Sequence, residues 1–111
     1  MLDDEVRFRI FKLLEANPEI SQRDVARELG MSLGKVNYCL KALVEKGWIK
    51  VQNFKNSRNK AAYMYLLTPR GVQEKATVTS EFLHRKMLEH DALKNEIEAV
   101  RKQATSDGTP N

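Results

Sequence analysis

Apolar side chains recur three or four positions apart at Val6, Ile10, Leu13 and Leu14, and Phe8 and Phe11 widen the same stripe. This predicts an amphipathic helix over residues 3 to about 16, with acids in its first turn where the helix dipole favours them, ended by Asn17-Pro18. A second start signal follows in SQRDVARELG. The Ser21 hydroxyl can cap a helix, Asp24 stands at its third position, and Ile20 can staple to Val25. The same grammar returns in MSLGKVNYCLKALVEKG: Met31 precedes the capping Ser32, Val36 is the staple partner, and Gly47 can supply a left-handed stop. Only Gly30 and Met31 separate these two helices. A sharp turn there needs the positive φ that glycine adopts freely, and the small Ala26 lets the second helix cross closely. At 100° per residue, Leu33, Val36, Cys39, Leu40, Leu43 and Val44 share one side of the second helix and are expected in the core.

Beyond Gly47 the period changes. Trp48 to Phe54 and Ala61 to Leu67 are rich in β-branched and aromatic residues with partial alternation, and the polar, basic KNSRNK between them contains turn formers. A β-hairpin is expected, with Trp48 filling the gap between helix and sheet. Leu67-Thr68-Pro69 then starts another helix, with Thr68 as cap, Pro69 at the first helical position and Leu67 stapled to Val72; Gly71 falls in the first turn, where its cost is small. No breaker appears before Asp107-Gly108. A helix of roughly 35 residues spans about 50 Å, more than a domain of some 70 residues can cover, so part of it must project. Alternating steps of four and three pick out Val72, Ala76, Thr79, Leu83, Lys86, His90, Leu93, Ile97, Val100 and Ala104, a seven-residue repeat interrupted by Lys86 and His90, with Met87 beside the first. A self-associating helix is expected, with Val72, Ala76, Thr79, Leu83, Met87, His90, Leu93, Ile97 and Val100 as its interface. Cutting after Arg70 is expected to leave a folded monomer.

The expected fold is therefore mainly α with a small β-hairpin: a winged helix-turn-helix over residues 1–68, a long coiled-coil-like dimerisation helix over 69–104, and a disordered tail, TSDGTPN, over 105–111.

Charge sharpens this picture. The 111 residues carry a net +4. Lys plus Arg stand against Asp plus Glu as 12 to 8 over residues 1–68 and 7 to 7 over 69–111, and residues 31–60 alone hold seven bases and one acid, Glu45. The excess lies on the second helix of the pair and the hairpin, which suits a polyanion. Cys39 is the sole cysteine, which excludes an internal disulfide; an inert, buried thiol in a reducing compartment is expected. The acids Asp3, Asp4 and Glu5 stand where a signal peptide would be basic, and no apolar run approaches 18 residues, so a cytoplasmic protein without a membrane partner is expected.

The polar side of the second helix presents Gly34, Lys35, Tyr38 and Lys41, with Ser32 at its open N-terminus and Asn37 at the edge. Asn can pair with adenine through two hydrogen bonds, Lys reaches guanine acceptors or phosphate, Ser and Tyr hydroxyls bond phosphate oxygens, and Gly34 lets backbones approach. In the hairpin tip, Lys55, Asn56, Arg58, Asn59 and Lys60 can straddle a minor groove or its phosphates. Gln22 and Arg23 open the first helix of the pair, where amides and side chains could jointly hold a phosphate. Gly30 to Val36 only superficially looks like a phosphate loop: three residues separate its glycines, and Val36 stands where Ser or Thr must bind magnesium. His84 and His90 are six apart with no nearby Cys, and no nucleophile with a supporting acid is legible. Neither an enzyme, a metal nor a cofactor is expected.

The run SQRDVARELGMSLGKVNYCLKALVEKGWIKVQNFKNSRNK followed by YLLTPRG resembles the MarR-type winged-helix transcription regulators, and more narrowly the exopolysaccharide-associated MarR-family regulators. The resemblance covers roughly residues 3 to 104, and SLGKVNYCLKAL with KGW is its most specific part. It implies a homodimer on double-stranded DNA, with Ser32 to Lys46 as recognition helix and Lys55 to Lys60 as wing; the subfamily label implies polysaccharide genes as targets. Larger MarR proteins use helices before and after the DNA-binding unit for a dimer core and often a phenolic-ligand pocket; only the C-terminal helix is available here, and no inducer is assigned. The rival of a different class is a winged-helix protein-interaction module without direct DNA readout. RNA binding would call for an exposed aromatic platform that the sequence does not provide.

Overall fold

The computed structural model describes residues 2–55 and 61–107. The order of elements is α1 (Asp4–Ala16), α2 (Gln22–Leu29), α3 (Leu33–Glu45), β1 (Ile49–Lys55), β2 (Ala61–Leu67) and α4 (Pro69–Asp107). Capping explains the helix starts. Asp3 Oδ1 accepts from the Val6 amide at 2.9 Å, Ser21 Oγ from Asp24 at 3.0 Å and Ser32 Oγ from Lys35 at 3.1 Å. Two glycines make the stops. Gly30 (φ 64°) lets its own amide reach Arg27 O at 3.3 Å and Met31 N reach Ala26 O at 3.0 Å; Gly47 (φ 76°) does the same with Val44 O at 2.9 Å and Trp48 N to Leu43 O at 3.1 Å.

The core is built from one face of each element: Ile10, Phe11 and Leu14 of α1, Val25 of α2, Val36, Cys39, Leu40 and Leu43 of α3, Ile49 of β1, Tyr65 of β2 and Val78 of α4, with Ile20 between α1 and α2. Leu33 and Val44 depart from expectation. They are 43% and 37% exposed, because they lie at the two ends of an apolar stripe that is longer than its cover.

The hairpin is antiparallel, pairing Ile49 with Leu67, Val51 with Tyr65 and Asn53 with Tyr63. On its outer edge the Tyr65 amide donates to Pro18 O at 2.9 Å, so the turn after α1 partly closes the exposed strand. The hairpin feeds α4 through a compact joint. The Thr68 amide donates to Trp48 O at 3.0 Å, the Thr68 hydroxyl donates to Gly47 O, and the Gly71 amide donates to Thr68 Oγ1 at 3.0 Å. Gly71 is more than a tolerated residue here. A Cβ at this position would lie 1.8 Å from Trp48 O, so only glycine lets α4 begin this close to the end of α3.

At 39 residues α4 is about 58 Å long, and it ends three residues beyond the expected 104. Its first half belongs to the body. Val78 is fully buried, Phe82 stacks on Phe8 with ring centroids 4.8 Å apart, Glu74 pairs with Arg7 at 2.6 Å, Lys75 with Glu15, and Arg85 with Asp4. A cut after Arg70 would remove this packing, so the unit expected to fold alone extends to about Lys86. From residue 86 to 106 every side chain is exposed. The radius of gyration, 20.5 Å, accordingly exceeds the roughly 13 Å of a compact chain of this length.

Candidate nucleic-acid interface

The buried row Val36, Cys39, Leu40 and Leu43 fixes the rotation of α3 about its own axis and thereby turns the opposite row outward. Ser32, Gly34, Lys35, Tyr38 and Lys41 all lie on that exposed side, and Tyr38 is 62% exposed. Arg23 is exposed at the start of α2. Among the described residues, neither Arg23, Lys35 nor Lys41 has a carboxylate within salt-bridge distance. Arg23 of α2 and Lys35 and Lys41 of α3 are thus solvated cations without counter-charges, while Arg27 of α2 is held by Asp24.

Asn37 and Gln22 sit differently. Asn37 is half-buried, and its Nδ2 donates to Gln22 Oε1 at 3.3 Å; Gln22 Nε2 in turn donates to the Tyr65 hydroxyl at 2.9 Å. The Gln22 side chain therefore points across α3 toward the hairpin and is committed to this chain of hydrogen bonds. Asn37 keeps Oδ1 and one amide hydrogen for another partner, but on a side chain held from behind.

This network crosses a groove of about 430 Å³ between α3 and the hairpin, lined by Gln22, Asn37, Lys41, Val44, Val51 and Tyr63 among others. Val44, expected in the core, is a surface group here, and so are Val51 and Tyr63, to which the sequence assigned no surface role. The available signal was the period of two: Tyr63 and Tyr65 share a face, but Tyr65 lies over the body and is buried, whereas Tyr63 is one step out along a strand that leaves it. Lys55 ends β1; its side chain, and Asn56, Arg58, Asn59 and Lys60 in full, lie outside the described residues.

No group of three or more potential metal ligands occurs among the described residues, and no helix is long and apolar enough to cross a membrane.

Residues 3–50 match the family model for winged helix-turn-helix DNA-binding. The chain has a winged helix-turn-helix fold. Similar solved structures share it. The adhesin competence repressor of Streptococcus pyogenes superimposes with a TM-score of 0.61 at 21% identity, covering 91% of this chain and 76% of that one. A MarR/EmrR family transcriptional regulator from Acinetobacter sp. ADP1 gives 0.54 at 27% identity over 90% and 75%. An S. aureus MepR variant bound to an oligodeoxyribonucleotide gives 0.56 at 15% over 98% and 80%. No curated protein sequence matches the chain significantly. Within a winged helix-turn-helix, α2 and α3 are the helix pair, α3 occupies the recognition position, and β1 with β2 forms the wing.

Proposed function

We propose that this winged helix-turn-helix is a MarR-type regulator that binds double-stranded DNA sequence-specifically as a homodimer and controls transcription, most simply by occluding a promoter. Polysaccharide-biosynthesis genes are the targets that the exopolysaccharide-associated resemblance suggests. One observation carries the reading: the exposed face of α3 holds Lys35 and Lys41 without counter-charges among the described residues, beside the hydroxyls of Ser32 and Tyr38 and the open backbone at Gly34. A polyanion supplies the missing charge, and the amide N–H groups at the N-terminus of α3 add donors for phosphate. The projecting end of α4 supports the dimer, because Leu83, Leu93, Ile97 and Val100 gain nothing from water.

Footprinting of genomic fragments with the purified protein tests the reading. The expected result is protection of an inverted repeat with half-sites about one DNA turn apart, or a multiple of it. A protein-interaction module is the second reading, favoured by the exposed Val44 at the end of α3 beside Val51 and Tyr63 of the hairpin. Uniform, weak protection of every fragment would favour it over specific regulation.

A further inference from the structure

The projecting half of α4 carries a sign pattern as well as an apolar seam. Leu83, Leu93, Ile97 and Val100 lie along that seam, each between 49% and 63% exposed, with His90 in their midst. Flanking it, Glu89 and Glu96 each stand one residue before a seam position, on one side, while Lys94 and Arg101 each stand one residue after a seam position, on the other. Among the described residues Lys94, Glu96 and Arg101 make no ion pair, while Glu89 holds Lys86 at 3.3 Å and Arg85 at 3.6 Å within its own helix.

These flanks decide how two copies can meet. Side by side in the same direction, the acidic flank of each helix faces the basic flank of the other, offset by five residues, so Glu89 meets Lys94 of the second copy and Glu96 meets its Arg101. In the opposite direction, like flanks face each other. The antiparallel register that overlaps the whole seam, with Leu83 opposite Leu93, brings Glu89 against Glu89, Glu96 against Phe82, Lys94 against Ser80 and Arg101 against Gln73. It gains no opposite-sign pair.

Resting on the homodimer reading above, we propose that residues 83–104 of α4 form a parallel, in-register, two-stranded coiled coil with a second copy, its direction set by the Glu89–Lys94 and Glu96–Arg101 pairs between chains. Lys86 and His90 sit at successive seam positions and fix the register at some cost in stability, since any slip would seat a polar group against an apolar layer. Lys86 keeps its charge balanced through Glu89. Both winged domains then lie at the same end of the coil.

A cysteine at position 100 tests the direction. In the parallel pair two copies of Val100→Cys lie across the seam from each other, close enough for a disulfide. In the antiparallel register they are about 36 Å apart, and position 100 faces position 76 instead. The intact protein should sediment as a dimer, Val100→Cys should oxidise to a covalent dimer while the buried Cys39 stays reduced, and Glu89→Lys with Glu96→Lys should weaken the homodimer at least about tenfold yet pair with a Lys94→Glu, Arg101→Glu chain. A dimer that is cross-linked only by the Ala76→Cys, Val100→Cys double variant overturns the parallel arrangement and leaves the dimer standing. A dimer cross-linked by neither overturns the parallel in-register arrangement too. A monomer at tens of micromolar removes the dimer reading itself.

Discussion

The two faces of this small body use charge in opposite ways. Where α1 meets α4, nearly every charge is matched: Arg7 with Glu74, Lys75 with Glu15, Arg85 with Asp4 and Glu5, Arg9 with Glu5. Arg7 also lies 5.6 Å from the Trp48 ring centre, and the hydrogen bond to Asp4 raises the pKa of Arg85 further, so that clasp keeps its cation. On the α2–α3 face Arg27 pairs with Asp24 along its own helix, but Arg23, Lys35 and Lys41 have no such partner among the described residues. Paired charges at the first face close a structural seam around Phe8, Val78 and Phe82; unpaired ones at the second leave attraction available for an external polyanion. Whether the cations are compensated, rather than how many there are, is what separates the two faces.

Variants at the two faces should therefore fail differently. The largest effect is expected from breaking the proposed dimer: Leu93→Asp with Ile97→Asp should yield folded monomers, and binding to a palindromic site should fall by about 100-fold or more, measured by sedimentation and gel shift. At the joint that seats α4, Gly71→Ala should destabilise the fold by about 1–3 kcal/mol in denaturant titrations, because the new Cβ meets the Trp48 carbonyl. Asn37→Ala should lose about 1–3 kcal/mol on cognate DNA and much less on random DNA. Because Gln22 holds Asn37 from behind, Gln22→Ala should reproduce part of that loss, and the double variant should be less than additive. The smallest effect belongs to the exposed pair on α1: Arg9→Ala should change stability by about 0.5 kcal/mol or less and leave DNA affinity alone.

Much of this was readable from local signals. Ser21, Ser32, Gly30 and Gly47 announce the ends of α2 and α3 within a few residues of sequence, and the buried row of α3 follows from its period. What escaped depends on contacts between distant segments. Gly71 looks cheap in a first helical turn until the Trp48 carbonyl, 23 residues earlier, is brought beneath it. The repeat along α4 picks out the open seam, but the face that docks on α1 is mixed in character, Glu74, Lys75, Val78, Phe82 and Arg85, and hydrophobic periodicity passes over it. Asn37 reads as a base reader at the edge of the polar side, and nothing in the sequence brings Gln22 and Tyr65 behind it. Leu33 and Val44 belong to the apolar side by angle, yet cover runs out at both ends of the helix.

The salt dependence of DNA binding tests the central claim most directly, with log affinity followed against log salt for the intact protein, for Lys35→Ala with Lys41→Ala, and for Arg9→Ala with Lys75→Ala. Each lost phosphate contact should lower the slope by about 0.9, so the α3 variant should be flatter by up to about 1.8 while the α1–α4 variant keeps the original slope. Equal slopes for all three proteins would contradict the assignment of DNA contact to the uncompensated face of α3.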